Sequence, residues 1–486
     1  MKSFHIAAAA LLLATVSSAA SAATAEDAAA VQKSLQAYLG SEPGVVTVAP
    51  AGDDLQITLD VNPFLAKAKQ PDASASVSPI VITAHANGDG TWETKSASPL
   101  LVTLNSPALV LDVKMDNFTW TGTFDEQLRG FTKSHGDLAN ASIKETVLDP
   151  ANGVKTNIAY TIGKYSSDTT ATKRDAGVAD ITAAVTAENI QGTWSLEGGS
   201  PGAGGGSFTL AKVGYQAGGT GVRQGAIMDL IAWLVAHPNK DAIIKDQANL
   251  KQLLTAAMPI FESVTGSETF ENAVVQTPIG NVTAQAVKIG VDMGGFVKAG
   301  RFGENIGLTG IGTPPGIAPP WSMDLIPASV QFGFMASGFD AEAPAKMVID
   351  KFDLSKDPPL APDISAALAA AVMPNGTINI ALPATSITAP AYTITMAGDV
   401  NMTPMGPKGG KLDIKMKGLD AVMAKLQEAA QTDPQAAQAI SMVVAAKGMA
   451  KTEADGTSTW ALVMTPEGKV TVNGIDLMGM APPPAQ

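Results

Sequence analysis

The sequence predicts an α+β protein dominated by β-structure, with long curved antiparallel sheets arranged as β meanders and helical hairpins covering one face. Two observations carry this prediction. Apolar and polar residues alternate with a period of two through most of the chain, and Asn-Gly and Asp-Gly pairs stand beside the alternating segments as hairpin turns require. One apolar face and one polar face are typical of antiparallel sheets, because parallel sheets are buried on both sides.

Residues 1–25 have the pattern of a secretory signal peptide. Lys2 precedes the short apolar run Ile6–Val16, and small residues at 20–25 offer cleavage sites before Glu26. The run is too short and too weakly flanked for a membrane anchor. We therefore expect a cleaved signal, a periplasmic location and no stable membrane anchor.

Composition excludes several classes of function. The chain has 486 residues and a formal net charge of −13, without the clustered Lys and Arg that nucleic acid binding requires. It contains no cysteine, which excludes disulfides, thiolate metal sites and cysteine nucleophiles. No motif for a cofactor is present, so we expect none.

The order of patterns along the chain predicts several segments. They are a signal peptide at 1–25, an N-terminal β-rich domain at 26–221, a helical hairpin at 222–264, a C-terminal β-rich domain at 265–480 with helices at 361–373 and 419–447, and a Pro-rich tail at 481–486. Asp116-Asn117 separates two alternating runs of opposite parity, which predicts a bulge or a turn there. The glycine-rich run Ser200–Ser207 is consistent with either a domain linker or a long hairpin loop.

Candidate catalytic residues are few. His85, His135 and His237 have no spacing that brings two metal ligands together, and His135 is the best single candidate for acid–base chemistry. Asp350 and Asp353 have opposite parity if their segment is a strand, so they would not share a metal there. We therefore expect that the protein is not an enzyme.

Methionine is concentrated in the last third of the chain. Methionine fills irregular cores and also lines adaptable binding surfaces, so both readings stay open. The residues selected as a candidate apolar groove on the concave face of a sheet are Phe332, Phe334, Met396, Met402, Met416, Trp460 and Met464.

Two C-terminal segments resemble a known family. Leu412–Asp420 carries an alternating strand that meets Gly418 and then a helix, and Gly468–Leu477 carries a second alternating strand. They resemble uncharacterised secreted or periplasmic proteins of Gram-negative bacteria, the domain of unknown function 2125. The resemblance implies a long β meander loosely similar to that of AsmA-type envelope proteins. It implies no active-site residue, because the family has none established.

The leading functional hypothesis is a periplasmic, non-enzymatic envelope protein that binds an apolar ligand such as a lipid acyl chain. One alternative is a structural or protein-interaction role among envelope proteins, without a ligand. A second is an unrecognised hydrolase, which would need His135 or a carboxylate pair to converge in a cleft.

Overall fold

The computed structural model describes residues 23–67, 72–149, 151–198 and 204–476. Most of the predicted signal peptide and the whole predicted tail lie outside these residues. Contacts divide the chain into two compact units. Unit 1 consists of Met1–Gly266, Val275–Pro278 and Ala345–Pro362, and unit 2 consists of Ser267–Val274, Ile279–Pro344 and Asp363–Gln486.

Unit 1 is built on antiparallel strands. They are β1 (Val46–Ala51), β2 (Asp54–Leu59), β3 (Ser74–Val77), β4 (Ile80–Ala86), β5 (Thr91–Ala97), β6 (Leu100–Asn105), β7 (Leu109–Asp125), β8 (Gly130–Leu148), β9 (Lys155–Asp175), β10 (Val178–Glu197) and β11 (Gly205–Val222). Its helices are α1 (Ala25–Leu39), α2 (Asn62–Lys67), α3 (Gln224–Ala236), α4 (Lys240–Lys245) and α5 (Gln247–Ala257). Strand β12 (Ser263–Thr277) and helix α6 (Glu342–Lys351) have residues in both units.

The described pairing within unit 1 follows the chain except at three pairs, β2–β4, β3–β6 and β5–β7. Strands β7 to β11 form a meander in which each pairs antiparallel with the next. The other edge of β7 is shared, because β6 pairs with its first half and β5 with its second half. Beyond β5 the order continues through β4 and β2 to β1, while β3 pairs with β6. Strands β10 and β11 are paired neighbours, and Gly205–Ser207, the end of the glycine-rich run, lies in β11. Residues 199–203 lie outside the described residues.

Helix α1 covers one end of the unit 1 sheet. A capping box between Thr24 and Asp27 fixes its start, since each side chain bonds the other's backbone N–H. Its apolar stripe places Val31 and Leu35 against Leu55 of β2, and all three are fully buried. Helix α3 adds Met228 to the same core.

A crease, defined by Asp116, Asn140, Gly163 and Asn189, crosses the long strands of unit 1. Exposure alternates along β7 until Asp116 and Asn117, which are both exposed, and then resumes with opposite parity. The predicted change of parity is therefore confirmed. Of the two predicted alternatives, a bulge or a turn, the turn is wrong, because β7 continues unbroken through this point. Asn140 and Asn189 have left-handed backbones (φ 62° and 55°), a conformation that Asn tolerates better than most residues. A Cβ at Gly163 would approach that of Asn189 to 3.0 Å, which explains the glycine between them.

Unit 2 is a second antiparallel meander. Its strands are β13 (Gly280–Gly294), β14 (Gly300–Thr309), β15 (Ser329–Phe339), β16 (Ile378–Ala389), β17 (Tyr392–Thr403), β18 (Gly406–Lys417), β19 (Lys451–Thr452), β20 (Ser458–Met464), β21 (Val470–Val472) and β22 (Ile475–Asp476). Its other elements are the 3-10 helix η1 (Pro320–Leu325) and helices α7 (Ile364–Val372), α8 (Leu419–Ala429) and α9 (Pro434–Met449). Strands β13 to β18 pair in chain order, β20 pairs with β18, β19 and β21, and β22 pairs with β21.

Helices α8 and α9 form the covered core of unit 2. Gly418 has a φ of 84° and ends β18, and α8 begins at the next residue. Asp433 then caps α9 by accepting a hydrogen bond from the Gln435 N–H, with Pro434 in the first turn. Val422, Leu426 and Ala436 are buried between the two helices.

The predicted fold class is confirmed, since strands dominate both units and every described pairing is antiparallel. Helix α6 lies in a stretch of the chain where the sequence pattern predicts no helix. Among the helices of the described residues, none combines the length and the hydropathy that crossing a bilayer requires.

Candidate apolar binding face

The residues selected from the sequence lie on one face of the unit 2 sheet, called here the apolar face of unit 2. Paired residues of antiparallel strands point to the same side. Met396 on β17 is paired with Ile414 on β18, which is paired in turn with Trp460 on β20. Met416 and Met464 follow by alternation along the same strands.

The same face continues to the other edge of the sheet. Ile394 pairs with Ile387 on β16, and Ile387 pairs with Val330 on β15. Phe332 and Phe334 alternate with Val330 and therefore share its side. Ile378 pairs with Met402, which places that methionine on this face as well.

The opposite face is polar. Thr395, Lys415 and Thr459 form one row across β17, β18 and β20. Lys411, Asp413 and Lys417 alternate with Lys415 and are exposed. The sheet thus separates an apolar side from a solvated one, as the alternation predicts.

Helices α8 and α9 cover one end of the apolar face. Trp460 is 9% exposed, and its indole N–H donates to the Ala446 carbonyl of α9 at 2.8 Å. Met416 packs against residues of both helices. The structure therefore shows Trp460 and Met416 packed in the core. For Met416 this is one of the two roles that the sequence left open for the methionine-rich region.

The other end, on β13 to β15, is called here the open face. Val291 is 37% exposed, Phe302 36%, Ile306 36% and Phe332 47%. The Phe302 and Phe334 rings lie 5.8 Å apart, so the aromatic groups are contiguous. Met396, Met402 and Met464 are half-buried.

Unit 1 has an apolar face that the sequence analysis did not select. Leu138 on β8 pairs with Phe118 on β7 and Tyr165 on β9, and it is almost fully buried. The cluster around it is formed by β7, β8 and β9 alone, so neighbouring strands bury its centre. The shared parity of Phe118 and Trp120 in the sequence was the available signal.

The tryptophans of the covered cores differ from those on this face in the hydrogen bonding of the indole N–H. Trp92, Trp233, Trp321 and Trp460 each donate the indole N–H to a carboxylate or a carbonyl. Trp120 and Trp194, both on the apolar face of unit 1, have no acceptor among the described residues.

The histidines are paired with carboxylates. His135 lies on the face of the unit 1 sheet opposite the apolar one, with Nδ1 2.8 Å from Asp168 and Nε2 2.6 Å from Asp137. The hydrogen bond to Asp168, followed by that to Asp137, raises the pKa of His135. His85 contacts Asp54 at 2.8 Å, and His237 stacks on Trp233.

The remaining catalytic candidates do not converge. Asp350 lies in α6 rather than in a strand, and Asp353 accepts hydrogen bonds from the backbone and hydroxyl of Ser355. Within the described ranges, no group of three or more potential ligands is placed to hold a metal ion.

Two surface cavities lie away from the selected residues. One of about 300 Å³ in unit 1 is bordered by Arg129, Arg223 and Asp229. The other, of about 360 Å³ in unit 2, is bordered by threonines and by Lys415 and Asp455 on the polar face. Neither is lined by a residue of the predicted groove.

Comparison with known proteins gives one family. Residues 328–482 match the family model DUF2125, described as an uncharacterized protein conserved in bacteria. The resemblance that the sequence indicated is therefore confirmed for this part of the chain. No curated protein and no solved structure matches the chain.

Proposed function

We propose that this chain is a non-enzymatic protein of the bacterial envelope that binds an apolar ligand, such as an acyl chain, on the open face of unit 2. The observation that carries the proposal is the contiguous exposure of Val291, Phe302, Ile306 and Phe332. Contiguous apolar surface of this kind is typical of binding sites. The location in the periplasm rests on the composition of residues 1–25.

The expected affinity follows from the area that a ligand would cover. Burying one methylene contributes about 0.8 kcal/mol, so half-covering a twelve-carbon chain contributes about 5 kcal/mol. That corresponds to a dissociation constant on the order of 0.2 mM. Below its micelle concentration, a nonionic twelve-carbon amphiphile should therefore occupy the face only in part, and variants are compared at one fixed monomer concentration.

A structural role among envelope proteins is the second candidate. Exposed apolar surface also fits a partner protein, and the covered end shows that much of this face is core. The two candidates differ in whether a monomeric amphiphile binds to the open face.

The test uses dodecyl maltoside as a nonionic probe and isothermal titration calorimetry. Phe332→Ser should weaken binding about fivefold, because a half-exposed phenyl ring contributes about 1 kcal/mol. Val463→Ser is the matched control, since Val463 is 43% exposed on the opposite face. Absence of monomer binding to the unaltered chain below the micelle concentration, or equal weakening by both variants, would contradict the proposal.

The location is tested separately. A tagged full-length chain should be recovered from the periplasmic fraction of a Gram-negative host, with a mass that shows removal of a segment near residue 25. Recovery of the uncleaved chain from the cytoplasm would contradict the proposed location.

A further inference from the structure

The open face contains a carboxylate. Glu304 on β14 pairs with Val291 on β13 and with Phe334 on β15, so it lies on the same side as both. Along its own strand, Phe302 and Ile306 flank it on that side. The Glu304 side chain is half-buried, and its surroundings are apolar on every side within the sheet.

Among the described residues whose pairing is recorded on β13 to β18 and β20, Glu304 is the one charged residue on this face. The other paired positions on this face carry no charge, and most of them are apolar. A carboxylate in this setting is an exception to an otherwise consistent pattern.

Glu304 has no hydrogen bond or ion pair with any residue in the described part of the chain. Arg301, the basic residue on β14, is bonded to Asp292 on the other side of the sheet at 2.8 Å. A carboxylate that serves the fold is normally paired, because removal from water is unfavourable without a partner. The structure provides Glu304 with no such partner.

The neighbours of Glu304 define what could complete the site. Phe302 and Phe334 place aromatic rings beside the carboxylate, and ring faces attract cations. An ammonium group next to Glu304 would gain from the opposite charge and from these rings. From Glu304 the apolar face continues without another charge through β15 and β16 to Met396 on β17, which suits an alkyl tail.

We propose that the open face selects amphiphiles with a cationic ammonium head, for which Glu304 is the counter-ion and the tail lies on the apolar side chains. This selectivity rests on the proposed function, since it specifies the class of apolar ligand. The recognition is by charge and ring contact, so primary and quaternary ammonium heads both fit.

The test compares three probes that share a twelve-carbon tail: dodecyltrimethylammonium, dodecyl maltoside and dodecyl sulfate, each below its micelle concentration. The unaltered chain should bind the cationic probe about tenfold more tightly than the nonionic one, and the anionic probe least, since a charge pair with ring contact contributes about 1.4 kcal/mol at a half-buried site. Glu304→Gln should remove this preference and leave dodecyl maltoside binding unchanged.

Asp413→Asn is the matched control, because it removes one exposed carboxylate from the polar face of the same sheet. It should keep the preference for the cationic probe. The thermal unfolding midpoints of both variants establish that each is folded. Glu304→Gln should not lower this midpoint, because an unpaired charge is removed.

The outcomes separate the two proposals. Dodecyl maltoside binding to the unaltered chain, with a cationic preference that Glu304→Gln does not change, overturns the inference alone. Binding of dodecyl sulfate that is as tight as binding of the cationic probe also overturns the inference alone. Absence of dodecyl maltoside binding overturns the proposed function and the inference with it.

Discussion

Units 1 and 2 each have an antiparallel sheet with one apolar face, and in each unit helices cover only one end of that face. In unit 1 the uncovered stretch buries its own centre, since Leu138 and Ala141 are shielded by residues of neighbouring strands. In unit 2 the uncovered stretch leaves Phe302 and Phe332 more than a third exposed. The same alternating pattern therefore gives a self-packed centre in unit 1, with Val147, Leu196 and Tyr215 exposed at its margins, and an accessible stretch in unit 2.

The difference shows that an apolar face has two separable tasks. Where helices α8 and α9 lie over the sheet, apolar side chains stabilise the fold. On β14 and β15, where Phe302, Ile306 and Phe332 are more than a third exposed, the same side-chain types contribute less to stability and are free to contact a ligand. This division can be tested by truncating one residue from each end.

The largest expected effect is in the covered end. Trp460→Ala should lower the free energy of unfolding by about 3–5 kcal/mol, because it removes a buried ring and leaves a cavity. The indole N–H bond to Ala446 is lost as well. Phe332→Ala, in the open end, should cost less than about 1 kcal/mol because its ring is already half in water. Denaturant unfolding curves measure both values.

Equal losses from the two truncations would show that the open end is part of the core and would break the comparison. Val463→Ala serves as the reference for an exposed apolar residue of the same unit. Its loss should match that of Phe332→Ala more closely than that of Trp460→Ala.

The sequence predicts some of this division and not the rest. Parity is a local property, so alternation identified the strands, their antiparallel class and the shared side of Phe332 and Trp460. Alternation does not show which of these two residues α9 covers, because that depends on where the helix packs against the sheet. The change of parity at Asp116-Asn117 was visible, but its alignment with Asn140 and Asn189 depends on the register of three separate pairings.

Glu304 and Glu145 were missed for a related reason. Each occupies a position of apolar parity, and a single Glu in an alternating run is easily taken as a break in the strand. Only the pairing of Glu145 with Leu111 and Ile158 shows that it faces the apolar side of unit 1. A search for lone charges at apolar parity would have found both residues.

A smaller effect distinguishes the two carboxylates. Burial, and then the negative charge of Glu145, raises the pKa of Tyr160 on the same face. Glu145→Gln should therefore lower the pKa of Tyr160, yet leave it above its ordinary value because burial persists. Absorbance titration of the tyrosines, compared with a Tyr160→Phe variant, measures the shift.

Asp112→Asn is the control for that titration, since Asp112 is exposed on the opposite side of β7. It should leave the pKa of Tyr160 where it is. An unchanged titration in Glu145→Gln would mean that the carboxylate does not face this tyrosine. The apolar face of unit 1 would then lack the charge that makes it comparable with the open face of unit 2.

The smallest expected effect is a difference between the two units in how their stability depends on pH. The residues of unit 2 include no histidine, whereas His135 in unit 1 is bonded to Asp168 and Asp137, which raise its pKa above about 6.5. A raised pKa in the folded state means that folding takes up a proton between the two values. The stabilisation by His135 is therefore complete below about pH 6.5 and is lost as the pH rises through the folded-state pKa. The effect is small because the group is exposed.

His135→Gln should lower the unfolding midpoint most below about pH 6.5, the ordinary histidine value, where the His135 contacts stabilise the fold in full, and should make the midpoint less sensitive to pH above that value. Thermal unfolding is measured between pH 5 and 9. Hydrogen exchange of the backbone amides then distinguishes the two units, by comparing β8 and β9 in unit 1 with β17 and β18 in unit 2. The amides of β8 and β9 should lose protection with rising pH in the unaltered chain only. If β17 and β18 lost as much protection over the same range, the dependence would not arise from His135. The contrast between the units would then rest on packing alone.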